Sequence, residues 1–136
     1  MATVADTGFV VGLAIVTDTR HAECLTVYRK QREIFLPQTV LAEVAYLLTR
    51  AGGNRATSRF LIDLARTKYR LIAIELGEVS RSAELLQQYA DAWIDFVDTT
   101  VIAVAGRLGA GTILTTDRRD FEIVRPKKVR SFELLP

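Results

Sequence analysis

The chain predicts an α/β fold, a mostly parallel sheet sandwiched between helices. Three observations carry that expectation. Short β-branched and aliphatic runs alternate with segments of helical periodicity. The connections between them are short. No internal repeat, low-complexity tract or linker interrupts the 136 residues, which read as one domain over 1–136. A chain of this length buries roughly two thirds of its unfolded surface.

Taken in order, Thr3-Val4-Ala5 is a strand candidate ending at Asp6, and Thr7-Gly8 opens a helix through about Ala14. Arg20 to Gln31 carries Ala22, Cys24, Leu25 and Tyr28 at helical spacing. Ile34-Phe35-Leu36 is a second strand, stopped by Pro37. Thr39 can cap a helix from Val40 to Arg50, closed by Gly52-Gly53. Asn54 caps the next helix, with Phe60, Leu61, Leu64 and Ala65 expected inward. Leu71 to Ile74 is a third strand, and Glu78 to Asp91 a helix with Val79, Ala83, Leu86 and Ala90 on its apolar face. After a Trp93-Ile94 loop, Asp98 to Leu108 is helical. Gly109 and Gly111 then turn the chain into a strand at Thr112 to Thr116, and Val129 to Leu134 is a last edge strand.

Composition bounds the function without naming it. The chain is 49% apolar and 25% charged, and 18 basic against 16 acidic side chains leave a net charge of +2. That is too little to demand a nucleic-acid partner. The single Cys24 excludes an internal disulfide and fits a reducing compartment. The most apolar early segment, Phe9 to Val16, is too short to span a bilayer, so a cytoplasmic protein with no membrane partner is expected.

The chemistry lies in four acids set against apolar sequence. Asp6 and Asp117 stand at the ends of apolar runs, where the sheets of α/β proteins bind ligands. Each also has an ordinary reading as a helix cap. Asp98 heads the stripe of Val101, Ile102 and Ala105, as a cap or first-turn acid, with Asp95 as the rival cap. Glu43 borders the stripe of Val40, Leu41, Val44, Leu47 and Leu48, with Arg50 as a possible partner.

If these four acids converge, their repulsion matters. Two like charges about 6 Å apart repel by roughly 3 kcal/mol at an effective dielectric of 20, so six pairs reach on the order of 15 kcal/mol. That rivals a whole domain's stability of about 5–15 kcal/mol. Such a cluster needs protonated members or a cation. Carboxylates without neighbouring histidine or cysteine favour Mg²⁺ or Mn²⁺. The only histidine, His21, falls in the second helix, which argues against zinc.

Four segments together resemble the PIN-domain family, and more narrowly the VapC-type toxins of bacterial toxin–antitoxin pairs. They are Val4-Ala5-Asp6-Thr7-Gly8, Leu41-Ala42-Glu43-Val44, Phe96-Val97-Asp98-Thr99-Thr100-Val101-Ile102-Ala103 and Leu114-Thr115-Thr116-Asp117-Arg118-Arg119-Asp120-Phe121. The likeness spans essentially the whole chain. It implies a three-layer α/β/α fold, a Mg²⁺- or Mn²⁺-dependent endoribonuclease, a homodimer and a cognate antitoxin. The family's acids fall on Asp6, Glu43, Asp98 and Asp117. Thr116 matches the hydroxyl residue that accompanies the last acid, and Asp95 and Asp120 are extra acids without an assigned role.

On that basis Asp6 and Asp98 are expected to hold the metal, with Asp117 bound directly or through water. Glu43 would orient or deprotonate the attacking water, and Thr7 and Thr116 would hold water or a ligand oxygen. Arg118 and Arg119 are candidate phosphate contacts, and Arg125, Lys127, Lys128 and Arg130 are as readily a solvated rim. Trp93 and Phe96 could stack on a base, although burial habits favour core packing. The alternatives are a catalytically inactive module that binds RNA or antitoxin, and a phosphatase of the haloacid-dehalogenase kind. The latter lacks its second acid, since Gly8 takes that place.

Overall fold

The computed structural model describes residues 2–126 and 131–136. Lys127, Lys128, Val129 and Arg130 lie outside the described residues, and with them the expected start of the last strand. In chain order the elements are β1 (Thr3–Ala5), α1 (Thr7–Ala14), α2 (His21–Lys30), β2 (Ile34–Pro37) and α3 (Gln38–Asp63). A 3-10 turn at Leu64–Arg66 leads to β3 (Tyr69–Ile72), α4 (Leu76–Gln88), α5 (Phe96–Leu108), β4 (Thr112–Leu114), α6 (Arg119–Glu122) and β5 (Glu133–Leu135).

The sheet order is β3-β2-β1-β4-β5, and every observed pairing is parallel. The chain steps outward from β1 to β2 and β3, then returns to the other side of β1 as β4 and β5. Right-handed crossovers then put the helices before and after that return on opposite faces. The result is the expected three-layer α/β/α sandwich. The order reverses between β1 and β4, whose register runs from Thr3↔Thr112 to Ala5↔Leu114. A crevice forms beyond the carboxyl ends of strands at such a reversal.

The core explains why these segments take these forms. Val4, Ala5, Ile34, Leu36, Ile113 and Leu114 are fully buried, as strands covered on both faces require. Phe9, Val40, Val44, Val101, Val104 and Ala105 close over them from the helices. Cys24 is buried too, and burial pushes its thiol up to about 11, so it stays an inert thiol.

Several expectations are corrected. Pro37 ends β2 and directly precedes α3, so Thr39 is not the cap; its hydroxyl meets that of Thr100 at 2.6 Å. Helical segments lie on both sides of Gly53, whose φ of 73° breaks the rod there. Beyond it, Leu61 and Ala65 are exposed rather than inward. Strand β3 starts earlier than expected because Tyr69, not Leu71, pairs with Ile34. Tyr69 is buried, and Leu71 faces out from this edge strand.

Helix α4 is rotated by about 100° from the expected orientation: Glu78, Ser82 and Leu85 are buried, and Val79 is exposed. Arg107 on α5 explains the rotation, because its Nε meets Glu78 Oε1 at 2.9 Å. A paired carboxylate can be buried where a lone one cannot. The same guanidinium reaches Glu75 and the Ala73 carbonyl, which ties α4 to α5.

Candidate active site

Helices α1 and α3 follow β1 and β2 directly, so both start at the carboxyl edge of the sheet. Helix α5 leads into β4 and runs back against the strands, which puts its N-terminus at the same edge. Three helix N-termini, with their positive dipole ends, therefore surround the crevice, and each offers modest stabilisation to anions placed there.

A hollow of about 390 Å³ opens at this point. Asp6, Glu43, Asp98 and Asp117 all line it, together with Thr7, Thr116, Asp95 and Asp120. The four acids singled out from the sequence thus share one cavity, although they come from four separate segments. Asp18 lines it as well and was not anticipated; its Oδ1 accepts from the Arg20 amide at 2.8 Å.

Asp6 holds the capping position of α1, but its side chain makes no capping hydrogen bond. The ordinary reading of this residue therefore fails. Its backbone continues the ladder, with Asp6 N–H donating to the Leu114 carbonyl at 2.8 Å. That register sets it beside Thr115, whose hydroxyl donates to Asp6 Oδ2 at 3.1 Å. The same Thr115 oxygen accepts from the Asp117 amide at 2.9 Å. One fully buried hydroxyl thereby fixes both acids. Thr115 was not singled out from the sequence, which offered Thr116 as the companion hydroxyl.

Thr116 lines the same hollow and packs against Gly8. A Cβ at position 8 would run into the Thr116 hydroxyl, so the glycine of Asp6-Thr7-Gly8 lets the two segments close on each other. Thr7 is buried, and its hydroxyl has no hydrogen-bond partner among the described residues. An orphaned hydroxyl on the wall of a polar cavity is suited to water or a ligand oxygen.

Asp98 and Asp95 form a reciprocal capping box on α5. Asp95 Oδ1 accepts from the Asp98 amide at 2.9 Å, and Asp98 Oδ2 accepts from the Asp95 amide at 3.1 Å. Asp95 is therefore the cap, and Asp98 stands one turn in. Glu43 is half-buried at the border of the α3 stripe. Its candidate partner Arg50 instead lies over the Tyr46 ring.

The electrostatics follow from crowding and burial. Burial, chiefly, pushes the Asp6 carboxyl up to about 7; the Thr7 backbone amide and the Thr115 hydroxyl oppose the shift, and the charges of Glu43 and Asp95 add to it. Burial likewise pushes Asp98 up to about 8, with Asp6, Asp95 and Asp120 adding to it. Asp120 rises to about 6 through burial and then through its contact with Asp117. Without a cation, the cavity therefore keeps protons on some of its acids at neutral pH. Among the described residues, no three His, Cys, Asp or Glu side chains are gathered tightly enough to cage an ion. An open oxygen-lined hollow is still compatible with Mg²⁺, which keeps several of its waters and takes only one or two carboxylates.

The basic candidates separate. Arg118 turns away: its Nη1 donates to the Leu134 and Pro136 carbonyls at 2.8 and 3.1 Å, and its Nε pairs with Glu122. These contacts tie the turn after Asp117 to the last strand. Arg119 lines a second hollow beside the first. Trp93 is not in the core. It is 95% exposed and lines both hollows, while its neighbour Ile94 is buried. Phe96 is half-exposed.

The family model of the PIN domain matches residues 3–126. The chain belongs to the PIN domain family. Within it the chain is of the VapC type, as the sequence resemblance implies. It is 32% identical over 97 residues to ribonuclease VapC26 of Mycobacterium tuberculosis, covering 71% of this chain and 72% of the relative. The crystal structure of VapC20 from the same organism, a sarcin–ricin-loop-cleaving toxin, superposes with a TM-score of 0.83 at 25% identity, over 95% of this chain and 99% of that one. VapBC2 from Rickettsia felis, solved on a DNA fragment from its promoter, shares the fold of this PIN domain. It has a TM-score of 0.73 at 19% identity over the full length of both chains. No described helix of this PIN domain is long and apolar enough to cross a membrane.

Proposed function

We propose that this PIN domain is a Mg²⁺- or Mn²⁺-dependent endoribonuclease and the toxin of a toxin–antitoxin pair, with Asp6, Glu43, Asp98 and Asp117 as its reactive centre. The observation that carries the reading is the convergence of those four acids on one hollow at the sheet's reversal point. The ribonuclease name of its relative VapC26 and the toxin description of VapC20 support the choice of substrate and context. The same reading carries a cognate antitoxin as partner, a homodimer and a cytoplasmic place of action.

The residues present suit a hard divalent cation. The donors are carboxylate oxygens, two of the acids are too buried to ionise readily alone, and Thr7 offers an unpartnered hydroxyl. When bound, such an ion supplies charge against the phosphate oxygens and acidity for a water. Asp6 and Asp98 hold it, and Asp117 does so directly or through water. Glu43, on the border of the hollow, orients the attacking water and takes its proton. Thr7 and Thr116 steady water or a phosphate oxygen. Thr115 keeps the Asp6 carboxylate turned into the hollow and fixes the Asp117 backbone.

Two experiments follow. RNA breakdown should proceed with Mg²⁺ or Mn²⁺ and stop with EDTA. Cleavage undiminished by EDTA, or none with either metal, would reduce the chain to a binding module. Thr115→Val keeps the side-chain shape but removes the donor to Asp6 and the acceptor for Asp117. Activity should fall by about 10- to 100-fold, as for other groups that orient metal ligands. Urea unfolding should show a loss of roughly 1–3 kcal/mol from the unpaired buried groups. Thr115→Ser should keep most of both.

A further inference from the structure

Trp93 is an expensive residue to leave in water, and the fold leaves it there. The neighbouring Ile94 is drawn into the core, so the chain had apolar cover available at this point and did not use it for the indole. The ring stands between two hollows. One is the acid-lined cavity; the other, of about 340 Å³, is walled by Ala92, Ile123 and Arg119. Asp117 and Asp120 line both, so the two hollows adjoin.

We propose that Trp93 and Arg119 form a nucleotide subsite beside the acid hollow, in which the indole stacks on an unpaired base of the RNA and the guanidinium holds an adjoining phosphate. The inference rests on the ribonuclease reading and deepens it by naming the residues that hold a nucleotide next to the acid hollow. An aromatic face accepts any base, and stacking requires that base to be splayed out of a helix. A cation at the outer wall of an acidic cavity offsets the repulsion that a polyanion meets on approach. A protein partner is the poorer occupant, because the indole is flanked by Asp117, Asp120 and Arg119, charges that an apolar protein face would have to desolvate.

The chain has one tryptophan, so its intrinsic emission reports on this place alone. Stopped-flow mixing of the Mg²⁺-loaded protein with a single-stranded RNA 12-mer should quench that emission saturably before turnover. The same sequence as a duplex, or an abasic ribose-phosphate strand, should not quench it. Trp93→Ala should raise KM for single-stranded RNA by about 10-fold, a typical loss on removing one stacked base, while kcat moves far less. Trp93→Phe should recover most of it. Arg119→Ala should flatten the slope of log affinity against log salt by about 0.7, the value for one phosphate contact on a single strand.

If RNA is cut but the emission does not move and Trp93→Ala keeps the wild-type KM, the subsite is wrong and the nuclease reading stands. If no RNA is cut, that reading fails on its own, and quenching by single-stranded but not duplex RNA still decides the subsite. A Trp93→Ala variant that changes only the oligomeric mass would assign the indole to a protein interface and overturn the proposal.

Discussion

Asp6→Asn is expected to abolish RNA cleavage and, without divalent cations at pH 8, to make the protein more stable than the wild type. The carboxyl has its ordinary value of 3.8 in the unfolded chain and about 7 in the fold. Below pH 3.8 both states hold the proton, and nothing is lost. Between that pH and about 7 the unfolded chain has released a proton that the folded one keeps, so wild-type stability falls as pH rises. Above 7 both states are ionised and the full penalty applies, on the order of 4 kcal/mol for a group this deeply buried. Asparagine escapes that penalty and can still accept from Thr115. Its melting temperature without metal should match the wild type near pH 4 and exceed it by about 10 °C at pH 8. Cleavage should fall by at least about 10³-fold through loss of a metal-holding carboxylate. A variant that is inactive but shows no gain in stability would mean that Asp6 carries no unfavourable charge in the fold.

The second large effect is on metal affinity. At pH 6 an incoming cation must displace protons from Asp6, which releases its own near 7, and from Asp98, which releases its own near 8. At pH 8 most of those protons are already gone. Mg²⁺ should therefore bind more tightly at pH 8 than at pH 6, by roughly 500-fold if both acids must ionise. Ligand binding raises apparent stability with concentration over Kd. Millimolar Mg²⁺ should thus lift the wild-type melting temperature at pH 8 and lift it little at pH 6. Because the metal-free protein is itself weakened at pH 8, the cation and the proton substitute for each other. An equal shift at both pH values would show that neither carboxyl gives up a proton to the ion.

The parallel sheet and the four acids were largely legible because each left a local mark. Asp6 and Asp117 end apolar runs, Asp98 heads an apolar stripe, and Glu43 borders one. An acid against apolar sequence is an anomaly that can be seen without coordinates. What stayed hidden depended on distant partners. Thr115 matters because the register of β1 on β4 sets it beside Asp6, and no local pattern states a register. The inward face of α4 was misread because Arg107, on another helix, makes a buried Glu78 tolerable. Helix α6 is too short to show a period. Trp93 was expected in the core on the habits of its residue type, yet it stands in solvent while Ile94 takes the buried place.

One measurement bears most directly on the claim that four distant acids act as one cation site. Mn²⁺ is titrated into the wild type at pH 7 by calorimetry, in buffers of differing ionisation heat, so that the protons released can be counted. Asp6→Asn, Glu43→Gln, Asp98→Asn and Asp117→Asn are then titrated in the same way. The expected result is net proton release in the wild type and weaker binding in every variant, with fewer protons released once Asp6 or Asp98 is gone. Binding without proton release, or unchanged in the variants, would mean that the hollow is not where the metal sits.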